Sequence, residues 1–186
     1  LPGAIADYDE AIRLSPSDPI PLRNRGIAYH LSGNHKRALE DFERLVLQEP
    51  SWAPSYPPRG ICRWDTGDLD GALSDFTTAL GLDPDLVEAW YFRGCVKRLK
   101  KMSKDAIADF DAALARDPAH LDARFRRAQC LSDLDDLRSA LAEYDEVLRR
   151  RSDYAEALVN RGLVKGRLED WNGAIADYDR AILVNP

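Results

Sequence analysis

The chain has 186 residues, with 26 Lys and Arg against 32 Asp and Glu, a formal net charge of −6 and a pI near 5.1. At 45% apolar residues it has the composition of a globular protein long enough to bury a core. The acidic balance excludes a duplex nucleic-acid binder, which needs excess cations to displace phosphate counterions. No apolar run approaches the ~20 residues of a membrane-spanning helix.

An internal period organises the chain. Pro16, Pro50, Pro84, Pro118 and Pro186 stand on one comb with a 34-residue spacing, broken only at Ser152. Ten residues after each tooth comes a small residue (Gly26, Gly60, Gly94, Ala128, Gly162), preceded in every copy by arginine. A second comb runs through Ala4, Ala38, Ala72, Ala106, Ala140 and Ala174, each answered four residues on by Tyr8, Phe42, Phe76, Phe110, Tyr144 or Tyr178.

In chain order, residues 1–18 form a half unit holding a second helix alone. Full units follow at 19–52, 53–86, 87–120 and 121–154, and 155–186 is a final pair, so the pattern predicts 11 helices. Within the second helix, Ala38, Leu39, Phe42, Leu45 and Val46 make an amphipathic stripe at i, i+1, i+4, i+7 and i+8. The proline row stops that helix, because proline cannot continue the backbone ladder. Ser17, Ser51, Asp85 and Asp153 are the N-cap candidates for the next one. The stretch 53–58 carries three prolines, so its helix is expected to begin late, near Pro57, after an extended 53–56.

The pattern resembles the tetratricopeptide repeat, whose 34-residue unit reads W-x₂-L-G-x₂-Y, then A-x₃-F, then P. The nearest copy runs Trp90, Arg93, Gly94, Ala106, Phe110, Pro118. Arginine replaces the leucine before the small residue throughout, and the tyrosine survives only as Tyr29. The resemblance implies an all-α, right-handed superhelical solenoid of antiparallel helix pairs, about 5.5 units, whose first helices line a concave groove. Neither end carries a polar capping helix, so the natural protein is expected to continue, or to associate end to end through Ile5, Tyr8 or the face near Ile175 and Ile182.

Sixteen residues after each repeat arginine stands an acid: Asp41, Asp75, Asp109, Glu143, Asp177. A structural Arg–carboxylate pair inside each unit is expected, with pairing to the preceding unit, from Asp7 to Arg25, as the alternative. The helix face opposite the glycine is left for a partner. Apolar anchors Trp64, Tyr91, Phe92 and Phe125, with polar contacts from Arg98, Arg126, Asn24 and Asn160, have the composition of a protein-binding patch. A carboxylate clamp of the kind some family members use does not match, because Ile27, Ile61, Cys95, Gln129 and Leu163 occupy its asparagine row.

No catalytic motif is present. His30, His35 and His120 have no ligand spacing, and Cys62, Cys95 and Cys130 read as buried small hydrophobes, so neither metal nor cofactor is expected. Free thiols fit a reducing, cytoplasmic compartment. The expected function is a non-catalytic scaffold binding a peptide or protein segment, without nucleic acid or membrane. A self-assembling array segment, or a regulatory domain cut from a larger enzyme, are the alternatives.

Overall fold

The computed structural model describes residues 2–185. Among them are eleven α-helices and no strand. They fall into two compact units, divided between Val96 and Lys97. The first holds α1 (Pro2–Leu14), α2 (Pro19–Leu31), α3 (His35–Gln48), α4 (Tyr56–Asp65), α5 (Leu69–Leu82) and most of α6 (Val87–Leu99). The second holds α7 (Ser103–Arg116), α8 (Leu121–Asp133), α9 (Leu137–Arg150), α10 (Ala155–Arg167) and α11 (Trp171–Val184). Within each unit the helices pack in chain order as antiparallel pairs.

Local signals explain the boundaries. Pro16, Pro50, Pro84 and Pro118 each stand two residues past a helix end; Pro186 lies outside the described residues. The second helices are capped by a row that sequence reasoning missed: Asn34, Asp68, Asp136 and Asp170 each accept a hydrogen bond from the backbone N–H three residues on. The residue before each of these caps has positive φ. In the first unit it is glycine (Gly33, Gly67), and in the second it is Asp135 or Glu169, as it is Lys101 ahead of α7.

The proposed first-helix caps at Ser17, Ser51 and Asp153 are corrected, the 3-10 turn following Trp52 and α4 following Ser55. Asp18, not Ser17, caps α2, since Pro19 already occupies the first helical position; α10 follows Tyr154 with no side-chain cap. His120 Nδ1 caps α8, accepting from the Ala123 N–H at 3.2 Å. The proline-rich segment is also corrected in part. α4 begins at Tyr56, close to the expected Pro57, but Ala53–Ser55 form a 3-10 turn rather than an extended stretch. Burial holds that turn: Ala53, Ser55 and Tyr56 are all buried, and the Tyr56 hydroxyl donates to the Pro50 carbonyl at 2.7 Å.

Packing follows the two combs. The alanine row (Ala38, Ala72, Ala106, Ala140) is wholly buried, as is most of the aromatic row. At Gly26 and Gly162 a methyl group would fall 2.6 Å from the rings of Phe42 and Tyr178, so the glycine is the socket into which the partner helix seats its ring. The arginines are structural. Arg25, Arg59 and Arg161 clasp Asp41, Asp75 and Asp177 with two nitrogens each, and Arg127 pairs with Glu143.

Both expected pairings occur together. Arg25, Arg127 and Arg161 also reach back to Asp9, Asp111 and Asp145, at 2.7, 2.6 and 2.7 Å. The backward partner of Arg25 is therefore Asp9 rather than Asp7, sixteen residues before it as Asp41 is sixteen after. Asp75 and Asp177 receive a second cation one helical turn along, from Arg63 and Lys165 at 2.9 Å each, and the buried Asp109 pairs with Lys97 at 2.7 Å. A carboxylate this deep is tolerable only when paired this fully. At Asp177 burial opposes ionisation, but hydrogen bonds from Arg161 and Lys165 outweigh it and hold the carboxyl below its ordinary range.

Candidate functional site

Clefts lie on the helix faces of both units, and two of them, one in each unit, carry apolar and polar side chains together. The first encloses about 420 Å³ on α2, α4 and α6. Ile27, Ile61 and Phe92 supply its apolar surface and Leu31 its rim, while Pro57 and Pro58 stiffen one wall. Arg23 and Glu88 are its charged members. Arg23 Nε is buried without a hydrogen-bond partner. The second cleft, about 570 Å³, lies on α8, α10 and α11 and is more polar, with Gln129, Glu156 and Asn160 beside Val159 and Ile182.

The expected anchors divide between the units. Phe92 is the hub of the first: its ring stacks on Phe76 at 5.9 Å and meets Trp64 and Tyr91 edge-on at 5.8 and 5.1 Å. Trp64, Tyr91 and Phe92 are thus brought together and remain partly exposed, and Phe92 lines the cleft. Phe125 is corrected. It is 0% exposed, packed against Tyr144 and Tyr154 at 5.9 and 5.0 Å, and cannot meet a ligand. Tyr154, standing just before α10, covers the face that Phe125 was expected to present.

The polar contacts are scattered. Asn24 borders a separate small hollow of about 270 Å³ shared with Tyr8 on α1. Asn160 lines the second cleft but already donates to the Glu156 carbonyl at 2.7 Å. Arg98 pairs with Asp133 at 3.3 Å, and Arg126 lies over the Phe125 ring while donating to Gln129 Oε1. Ile27, Ile61, Leu31, Arg23 and Glu88 line the first cleft but were not selected from the sequence. Their periodicity was visible, but their convergence depends on how α2, α4 and α6 stack.

The fold also assembles a group that no local spacing announces. His30 stands in the last turn of α2, His35 begins α3 and Cys62 lies in α4, and one donor atom from each falls within 4.8 Å of the others. The His30 and His35 Nδ1 atoms are 3.2 Å apart, and Cys62 Sγ is 4.0 Å from His35 Nδ1. Asp65 Oδ2 holds His30 Nε2 at 3.2 Å. Burial, with the Asp65 charge adding to it, pushes the Cys62 thiol up to about 11, so by itself it is a poor nucleophile at neutral pH. All three cysteines are buried, and none forms a disulfide among the described residues.

Comparison with known proteins agrees with this architecture. A TPR repeat model matches residues 1–44, and a tetratricopeptide repeat model matches residues 100–162. The chain belongs to the tetratricopeptide-repeat family. Among solved structures, YrrB, described as a TPR protein with an unusual peptide-binding site, superposes with a TM-score of 0.80 at 23% identity, covering 96% of this chain and 92% of that one. MamA from Desulfovibrio magneticus RS-1 gives 0.83 at 19% identity, covering 89% and 94%, and a tetratricopeptide repeat protein from Parabacteroides merdae gives 0.82 at 18%, covering 98% and 72%. The co-chaperone sgt12 of Aspergillus fumigatus is 48% identical over 40 residues, which is 22% of this chain and only 12% of that protein. These likenesses establish the repeat fold, an architecture suited to protein interaction. No helix among the described residues is long and apolar enough to cross a membrane.

Proposed function

We propose that the chain is a non-catalytic scaffold that binds a peptide or protein segment in the cleft of its first unit. The observation that carries this reading is the convergence of Ile27, Ile61 and Phe92 on one cleft whose charged lining includes Arg23. Apolar surface of that kind rewards a ligand's hydrophobic side chains, and a guanidinium in the lining rewards an acceptor. The ligand is therefore an extended segment with two or more apolar residues and an acidic or carbonyl acceptor directed at Arg23. YrrB, a fold neighbour described as having a peptide-binding site, supports the same class of function. The short likeness to a co-chaperone does not extend to a carboxylate clamp, whose asparagine row is filled here by Ile27, Ile61, Cys95, Gln129 and Leu163.

A second reading, association of copies through α11, draws on the exposure of Trp171, Ile175 and Ile182, at 64, 58 and 64%. Selection of peptides from a random library, followed by calorimetry, separates the two. The first reading expects selected peptides to bind wild type and to lose affinity at least about tenfold in Leu31→Glu and Arg23→Gln, the loss of one good contact being worth that much. Leu31 is 68% exposed, so its replacement leaves the core alone. Undiminished binding by both variants overturns the cleft assignment. A mass that rises with concentration in wild type and not in Ile175→Glu supports the second reading.

A further inference from the structure

The His30–His35–Cys62 cluster lies outside the peptide reading and has a chemistry of its own. Two imidazole nitrogens and a thiol sulfur are the donor set preferred by zinc and by other borderline divalent transition metals. In tetrahedral zinc geometry two coordinated nitrogens stand about 3.3 Å apart, given metal–nitrogen bonds near 2.0–2.1 Å. His30 Nδ1 and His35 Nδ1 are 3.2 Å apart. Cys62 Sγ, at 4.0 Å from His35 Nδ1, is about half an ångström beyond the tetrahedral spacing to that ligand, and all three donor atoms lie within 4.8 Å of one another.

The outer contact matches as well. A metal-ligating histidine ordinarily gives its other ring N–H to a carboxylate, which fixes the tautomer and orients the ring. Asp65 takes that role for His30, 3.2 Å from Nε2. With Nε2 carrying the proton, Nδ1 presents its lone pair toward His35 and Cys62. A hydrogen bond between the two imidazoles would account for their approach alone. It does not account for the Cys62 sulfur within 4.8 Å of both donors, its other neighbour being the His35 carbonyl at 3.7 Å, nor for the carboxylate behind His30.

We infer that His30, His35 and Cys62 form a divalent transition-metal site of the zinc class, oriented by Asp65 and open at a fourth position. The metal ties the end of α2, the start of α3 and α4 together across a repeat boundary. It sits beside the cleft that His30 also lines, yet its occupancy is measured without any peptide, so either reading can fail while the other stands.

The test is titration of the full chain with zinc, and separately with cobalt(II) as a spectroscopic probe. One equivalent is expected to bind and to raise the melting temperature, and cobalt is expected to give tetrahedral d–d bands with a thiolate-to-cobalt charge-transfer band. His35→Gln and Cys62→Ser should each abolish the charge-transfer band. Asp65→Asn should keep it while weakening affinity about 10–100-fold. His120→Asn, which removes the histidine outside the cluster and keeps a capping side chain, should bind as wild type does. Cys62 is fully buried, so should Cys62→Ser fail to fold by circular dichroism, His30→Gln and His35→Gln, at partly exposed positions, decide the matter. Absence of the charge-transfer band in wild type, or zinc affinity unchanged in both histidine variants, overturns the assignment.

Discussion

Tyr91 in the first unit and Phe125 in the second occupy the same position of the repeat, 34 residues apart, and meet opposite fates. Tyr91 stays partly exposed beside Phe92, whereas Phe125 is sealed beneath Tyr154 and against Tyr144. The period fixes which way a side chain points. At Phe125 the cover comes from Tyr154, the residue just before α10. The interhelix turns differ in a parallel way: the first unit spends Gly33 and Gly67 on its left-handed positions, and the second strains Lys101, Asp135 and Glu169 into them.

That contrast can be broken first by truncation. Phe125→Ala should cost about 3–5 kcal/mol of stability by denaturant unfolding, the usual price of emptying an aromatic site in a core. Tyr91→Ala should cost well under half as much, because its ring is already partly in water. Equal losses would mean that the two positions do not differ as described. Next in size, Gly162→Ala should destabilise by about 1–3 kcal/mol by driving a methyl into the Tyr178 ring, while Gly3→Ala, where nothing stands within 4 Å, should be neutral or better.

The buried acids sharpen the comparison through pH. Asp177 has its carboxyl held below the ordinary range by Arg161 and Lys165 against the opposing effect of burial. Its contribution is therefore complete above the unfolded aspartate value of about 4 and is lost as pH falls below that through the native value. The melting temperature of wild type should drop between pH 5 and pH 3, each a value on the order of that window. Asp177→Asn should start lower and lose less over the same interval, and parallel curves would remove Asp177 from the acid response. Smallest of all, Glu169→Gly should stabilise the second unit by a few tenths to about 1 kcal/mol, since relief of a left-handed strain exceeds the added freedom of glycine in the unfolded chain.

Much of this was legible in the sequence. The 34-residue period, the eleven helices, the glycine sockets and the arginine–acid pairs all follow from residue type at fixed spacing, because each joins neighbours in a regular stack. The double clasp of Arg25 could be foreseen only in outline: one reading had it on Asp41, the other on Asp7, and the helix delivers both directions with Asp9 as the backward partner. The site was less legible. Of the four rings read as apolar anchors, the structure brings Trp64, Tyr91 and Phe92 together, but Phe125 was not separable from them without knowing where Tyr154 lies. His30, His35 and Cys62 carry no recognisable spacing, since the ligand geometry is made by stacking α4 on the α2–α3 turn rather than by one helix face.

The central claim is that the first unit's cleft is where a partner segment binds. Isoleucine-methyl spectra of the chain, recorded while a library-selected peptide is added, test it most directly. The account predicts saturable shifts at Ile27 and Ile61, with Ile175 and Ile182 unmoved. Shifts confined to Ile175 and Ile182, with Ile27 and Ile61 unchanged at saturation, would contradict it.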